Sequence, residues 1–129
     1  MNKLNKENVT GISALLVHAA KIDEIYSEHE RDLIRNFIKF YLKDDDIDET
    51  LTKAEEIEND SNQLLNFTNI IKKNSMTIKK DIIERLWKVI ISDNTVDQYE
   101  SNLMRRICGL IYFSDKECAE IKLKLINSK

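Results

Sequence analysis

A chain of 129 residues with 20 Lys and Arg against 23 Asp and Glu carries a formal charge of −3, which suits one domain with its own core and excludes the broad basic field of a non-specific nucleic-acid binder. With no proline and two glycines, Gly11 and Gly109, it lacks the turn punctuation that a sheet-rich fold needs at short intervals. No stretch approaches the ~20 apolar residues of a membrane span, and the first ten residues hold no apolar signal segment, so a cytoplasmic protein is expected.

The first periodic segment runs from about Glu7 to Lys21, with Val9, Ile12, Leu16, Ala19 and Ala20 on one face. The second covers Glu28 to Leu42, with a stripe of Leu33, Ile34, Phe37, Ile38 and Tyr41. Ser27 and Glu30 open it as a capping box: the serine hydroxyl takes the Glu30 amide proton, and the Glu30 carboxylate reaches back to the Ser27 amide. Asp44, Asp45, Asp46, Asp48 and Glu49 crowd the start of a third helix, to about Asn59, where negative charge suits the positive helix end. A fourth, from about Ser61 to Lys73, carries Leu64, Leu65, Phe67, Ile70 and Ile71. After a break at Asn74 to Thr77, a fifth runs from Ile78 to Ser92. It is strongly apolar, through Ile82, Ile83, Leu86, Trp87 and Ile90, and is the expected central core helix. Asp97 and Glu100 open a sixth helix to about Tyr112, and Ser114 and Glu117 a seventh through Ile121, Leu123 and Leu125. Cys108 and Cys118 lie in apolar helical patterns with no Cys or His at metal-ligand spacing, and read as two buried, reduced thiols.

Asp23 and Asp93 stand seventy residues apart. At the same offset Glu30 falls on Glu100, Leu33 on Leu103, Arg35 on Arg105, Ile12 on Ile82, Leu16 on Leu86 and Ile34 on Met104. The recurring unit is an apolar helix, Asp, a turn, an apolar residue, a cap, Glu and a second apolar helix, over about residues 7–42 and 78–112. The expectation is a single all-α domain over residues 1–129, a compact seven-helix bundle with an internal helical-hairpin repeat.

Apolar helix, Asp-x-x-apolar-[Ser/Asp]-x-x-Glu, apolar helix, given twice at that spacing, resembles the TerB-like domains of the tellurite-resistance family. The resemblance is carried by Leu16 to Asp23 with Ser27 to Arg31, by Leu86 to Asp93 with Asp97 to Glu100, and by Leu65 to Ile71 as middle helices. It covers about residues 7–126 and looks nearer to the stand-alone bacterial branch than to the tellurite-operon protein. Family members usually carry Gly after each Asp, where the chain needs a permissive residue. Here Glu24 and Asn94 stand instead; Asn tolerates the left-handed region better than Glu, so the first turn is expected to differ in shape. The resemblance implies a seven-helix TerB-like bundle, an acidic patch proposed to hold a divalent metal, and a link to stress responses or co-chaperone scaffolds. It implies no established reaction.

Two readings compete for Asp23, Glu30, Asp93 and Glu100. As ligands they would present carboxylates to a hard cation such as Ca²⁺ or Mg²⁺. As structural groups, Glu30 and Glu100 cap helices and each Asp stabilises its turn. His18 and His29 flank Asp23, but their offset partners are Lys88 and Tyr99 and no partnered nucleophile accompanies them, so no catalytic residue is assigned and no enzyme is expected. Asp44 to Asp60 holds nine acidic residues against one Lys, while Lys72, Lys73, Lys79, Lys80, Arg85 and Lys88 gather around the fifth helix. That is either a dipolar surface that docks a protein partner or orders a homo-oligomer, or a solvated face. Tyr26, Tyr41, Tyr99 and Trp87 read as core or turn-packing aromatics, and no nucleic-acid partner is expected. Two functions follow. One is a non-enzymatic, cytoplasmic, stress-associated protein binding divalent metal through its acidic turns; the other is a metal-free protein-interaction module resembling the TerB-like part of J-domain co-chaperones.

Overall fold

The structure is a computed structural model that describes residues 4–22, 26–42, 47–60, 65–91 and 98–127, with backbone alone for 98–100. Asp23, Glu24, Asp93, Asn94, the cap Asp97, the acidic run 44–46 and the expected start of the fourth helix at 61–64 lie outside the described residues. Among the described residues there are seven helices and no strand: α1 Lys6–Ala20, α2 Glu28–Leu42, α3 Ile47–Asp60, α4 Leu65–Lys72, α5 Met76–Ile91, α6 Gln98–Leu110 and α7 Asp115–Asn127.

Side-chain caps set several of the starts. The Asn5 carboxamide accepts the Asn8 amide proton at 2.7 Å ahead of α1, and the Ser114 hydroxyl accepts that of Glu117 at 3.3 Å ahead of α7. Ser75 does the same for Ile78, also at 3.3 Å, so α5 begins at Met76, two residues earlier than its apolar stripe suggests.

The centre of the bundle is shared between α1 and α5. α1 packs on α2, α3, α4 and α5, and α5 on α1, α2, α4 and α7. Every residue of α1 from Val9 to Val17 is buried, as expected of a helix enclosed on all sides. The single apolar face expected for this segment is therefore too narrow, and α5, the expected central helix, shares the centre with α1. Small side chains explain the difference, because Gly11, Ser13 and Ala14 add little to an apolar stripe yet let neighbours close in. At Gly11 a Cβ would run into the Ile70 side chain of α4. Ile34, Phe37 and Ile38 of α2, Leu51 of α3, Ile71 of α4, Ile82 and Leu86 of α5, Ile107 and Cys108 of α6 and Ile121 of α7 complete one apolar core.

The turn between α6 and α7 is closed by the backbone. The Phe113 amide donates to the Cys108 carbonyl at 2.8 Å and the Tyr112 amide to the Gly109 carbonyl at 3.4 Å. That pair of bonds is a Schellman motif, with Tyr112 in the left-handed position at φ 59° and the buried Phe113 following it. Cys118, in the opening turn of α7, is thereby brought back beside the end of α6.

Candidate functional site

Of the four carboxylates expected at the repeat turns, Glu30 is the one whose side chain is described. It is buried, and its Oε1 accepts the Ser27 amide proton at 2.8 Å and the Ser27 hydroxyl at 3.1 Å. The Glu30 amide in turn donates to Ser27 Oγ at 3.2 Å. This is the reciprocal capping box expected from the sequence. Glu100 lies in α6 with its side chain outside the description, and Asp23 and Asp93 are outside it altogether. Among the described residues no group of three or more His, Cys, Asp and Glu side chains could hold a metal ion.

Three acidic residues of α3, Asp48, Glu55 and Glu58, are drawn into contacts with α1, α2 and the residues that flank them. The Tyr26 hydroxyl donates to Glu55 Oε2 at 2.6 Å, and Arg31 Nε donates to the same oxygen at 3.0 Å. Arg31 also reaches Glu28 of its own helix at 3.2 Å. One turn on, Arg35 bonds Glu28 at 2.9 Å, Asp32 at 2.5 Å and Asp48 at 3.0 Å. Lys21 Nζ and His18 Nδ1 both address Glu58, at 2.8 and 3.3 Å. His18 is thus a half-buried partner of a carboxylate, and His29 is exposed. Burial, then the hydrogen bond to Glu55, pushes the Tyr26 phenol well above the usual tyrosine range. Hydrogen bonding to Arg35 holds the exposed Glu28 carboxyl below its usual range. Outward from these contacts, Asp48, Glu49, Thr52, Lys53 and Glu56 line an open hollow of about 480 Å³ along α3.

Two further clusters lie on α5. Tyr41 donates to Asp81 Oδ2 at 2.8 Å and Arg85 Nε to the same oxygen at 3.0 Å, tying α2 to α5. The Arg85 guanidinium also lies 5.5 Å from the Phe37 ring centre and 5.1 Å from that of the exposed Phe40. Burial, then the bond to Asp81, raises the Tyr41 phenol as well. The second cluster joins α5, α6 and α7: the Trp87 indole N–H points at the Cys118 carbonyl oxygen (3.2 Å) and sulfur (3.3 Å), and Cys118 lines a cleft with Met104 and Arg105 of α6. Both cysteines are buried and reduced, as expected. The approach of Cys118 to α6 is not evident from the sequence spacing, although a tight turn between two amphipathic helices is the signal that would have suggested it.

No helix among the described residues is long and apolar enough to cross a membrane. Comparison with curated proteins and with solved structures returns no match to either. The model of the family described as tellurite resistance protein TerB matches residues 10–123, nearly the whole of the bundle, and the chain belongs to that family.

Proposed function

We propose that this TerB-family chain is a non-enzymatic, stress-associated protein-interaction module whose α3 face receives a basic segment of a partner protein. The observation that carries the reading is the ordering of that face. From Ile47 to Asp60 there are six acidic residues against one Lys. Asp48, Glu55 and Glu58 are held from behind by Arg35, Arg31 and Lys21, while Glu49 and Glu56 are exposed along the hollow. Those pairs fix α3 against the residues of α1 and α2, so that Glu49 and Glu56 stand on a set helix and steer a cationic chain electrostatically. The test is fluorescence anisotropy with a labelled Lys/Arg-rich peptide and with its Glu-rich counterpart. The basic peptide should bind, lose affinity as salt is raised, and lose about tenfold or more with Glu49→Lys plus Glu56→Lys. Equal binding of both peptides, or no change in the double variant, would retire the reading.

A second reading keeps Asp23, Glu30, Asp93 and Glu100 as ligands of a hard divalent cation. Its support is the twice-given acidic turn pattern in a TerB-family chain. On this geometry Glu30 Oε1 is already held by Ser27, so a metal would be taken by its second carboxylate oxygen with the cap kept. Thermal melts in EDTA and then in excess Ca²⁺, Mg²⁺, Mn²⁺ or Zn²⁺ decide it. Metal at about 100 times its Kd adds ~2.7 kcal/mol, a gain that must vanish in Asp23→Ala or Asp93→Ala.

A further inference from the structure

We propose that the cleft between α5, α6 and α7 binds a small organic monocarboxylate, with Arg105 and Lys122 holding the carboxylate and Trp87 and Met104 meeting its apolar body. The cleft has a volume of about 210 Å³ and is lined by those four side chains together with Ser101 and Asp115. It shares no lining residue with the acidic hollow along α3, so the inference stands apart from the docking of a basic segment there. The first observation that carries it is charge. Lys21, Arg31, Arg35 and Arg85 each meet a carboxylate at 3.0 Å or less, whereas Arg105 and Lys122 form no ion pair among the described residues. Set against the one carboxylate of Asp115, they leave the cleft a surplus of one positive charge in a chain whose formal charge is −3. A monoanion balances that surplus. A dianion such as phosphate would bring its second charge against Asp115.

The second observation is the donor set. A guanidinium offers a carboxylate two parallel N–H bonds, and the Lys122 ammonium and the Ser101 hydroxyl add donors in the same cleft. The third is the floor. The Trp87 N–H is spent inward, on the Cys118 carbonyl oxygen at 3.2 Å and sulfur at 3.3 Å, so the indole brings its ring to the cleft rather than a free donor. Lys122 Nζ lies 5.4 Å from that ring's centre, and a carboxylate drawn to the ammonium arrives beside the indole. The volume is about seven times the ~30 Å³ that a water molecule takes in the liquid. That is more room than a bare oxyanion fills, so the ligand carries a small apolar body against Trp87 and Met104.

Trp87 is the one tryptophan of the chain, so its indole N–H gives a single side-chain peak in proton–nitrogen correlation spectra of the full chain, and that peak reports on the cleft. Benzoate is the probe. It should move the indole peak and the amides of Ser101 and Arg105 saturably, with a Kd on the order of 1 mM for so small a ligand. Benzamide has the same shape without the charge and should bind about tenfold or more weakly, as should acetate and inorganic phosphate. Arg105→Gln should lose about tenfold in benzoate affinity. Asp115→Asn should gain about threefold and admit phosphate, a gain that a loosened fold does not produce. The amide spectrum shows whether each variant keeps its fold, and the comparison of benzoate with benzamide is read on the wild type and needs neither variant. Equal binding of benzoate and benzamide, phosphate bound as tightly as benzoate, shifts that never saturate or that leave Trp87 unmoved, or an Arg105→Gln variant that binds as the wild type does would each overturn the proposal.

Discussion

α2 and α3 are laced together by guanidinium and carboxylate groups, whereas α5, α6 and α7 meet through indole, thiol and aliphatic ones. The contrast is sharpest at positions seventy residues apart. Ile12 and Ile82, Leu16 and Leu86, Ile34 and Met104, and Phe37 and Ile107 are all buried to within 1% exposure. Around that common interior, Arg31 gives way to Ser101, Ile38 to Cys108, Tyr41 to Ile111 and Val17 to Trp87. Core positions answer to volume and packing, so an apolar residue of suitable size suffices there. The means of fastening neighbouring helices is less constrained, and there the two stretches carry different chemistry.

The largest effects should come from the shared interior. Leu16→Ala and Leu86→Ala are each expected to cost about 2–5 kcal/mol in urea unfolding, from lost transfer energy plus the cavity left behind. Similar costs would support equivalent roles for α1 and α5. A mild Leu86→Ala beside a severe Leu16→Ala would mean that the α5 side collapses around the gap and that α1 alone is the organising helix.

Salt separates the two kinds of fastening. Glu55→Gln weakens the contacts with Arg31 and Tyr26, and should cost about 1–2 kcal/mol at low ionic strength. The cost should shrink near 1 M salt, where the screening length is ~3 Å. Trp87→Phe removes the donor to Cys118, at a cost of about 1 kcal/mol that salt leaves unchanged. Equal salt responses would dissolve the distinction. Alkaline titration probes the charged side again. Tyr26 and Tyr41 have folded-state values raised by burial and by Glu55 and Asp81. Their contribution is therefore fully present below the unfolded tyrosine value near ~10 and is lost as pH rises through the folded values. Tyrosinate absorbance should show two late-ionising phenols. In Tyr26→Phe one of them disappears and the fall in stability above that pH becomes shallower.

The elements legible in the sequence are those that local chemistry specifies. The Ser27–Glu30 box is formed as its residues imply, and the stripe of Ile34, Phe37 and Ile38 is buried as its period implies. What escaped depends on how helices are rotated against one another. The ties from Arg31 and Arg35 to Glu55 and Asp48 exist only once α3 is placed beside α2. Cys118 reads as one more buried thiol until the α6–α7 turn brings it beside Trp87 and the side chains of α6. The α1 segment reads as one-faced because alanine, glycine and serine score weakly on any apolar scale, although their smallness is what lets four helices surround it. Among the candidate ligands, Glu30 has an observed local role as a cap, a role the same box pattern allowed for in advance.

The smallest effect tests how the sulfur-bearing corner is closed. Tyr112 ends α6 in a left-handed conformation that costs a side-chain-bearing residue roughly 1–2 kcal/mol and costs glycine almost nothing. The ring is exposed, with Lys72 Nζ 4.8 Å from its centre, a contact worth about 0.5–1 kcal/mol at such a site. Tyr112→Gly should relieve the strain, lose that contact and come out stabilised by roughly 0.5 kcal/mol. Tyr112→Ala loses the contact and keeps the strain, so it should be destabilised by a similar amount. The order Gly, Tyr, Ala in thermal unfolding is thus the expected result. If Ala instead matched Gly, the left-handed turn would not be what holds α6 to α7, and the seating of Cys118 beside α6 would rest on Phe113, Trp87 and the surrounding core alone.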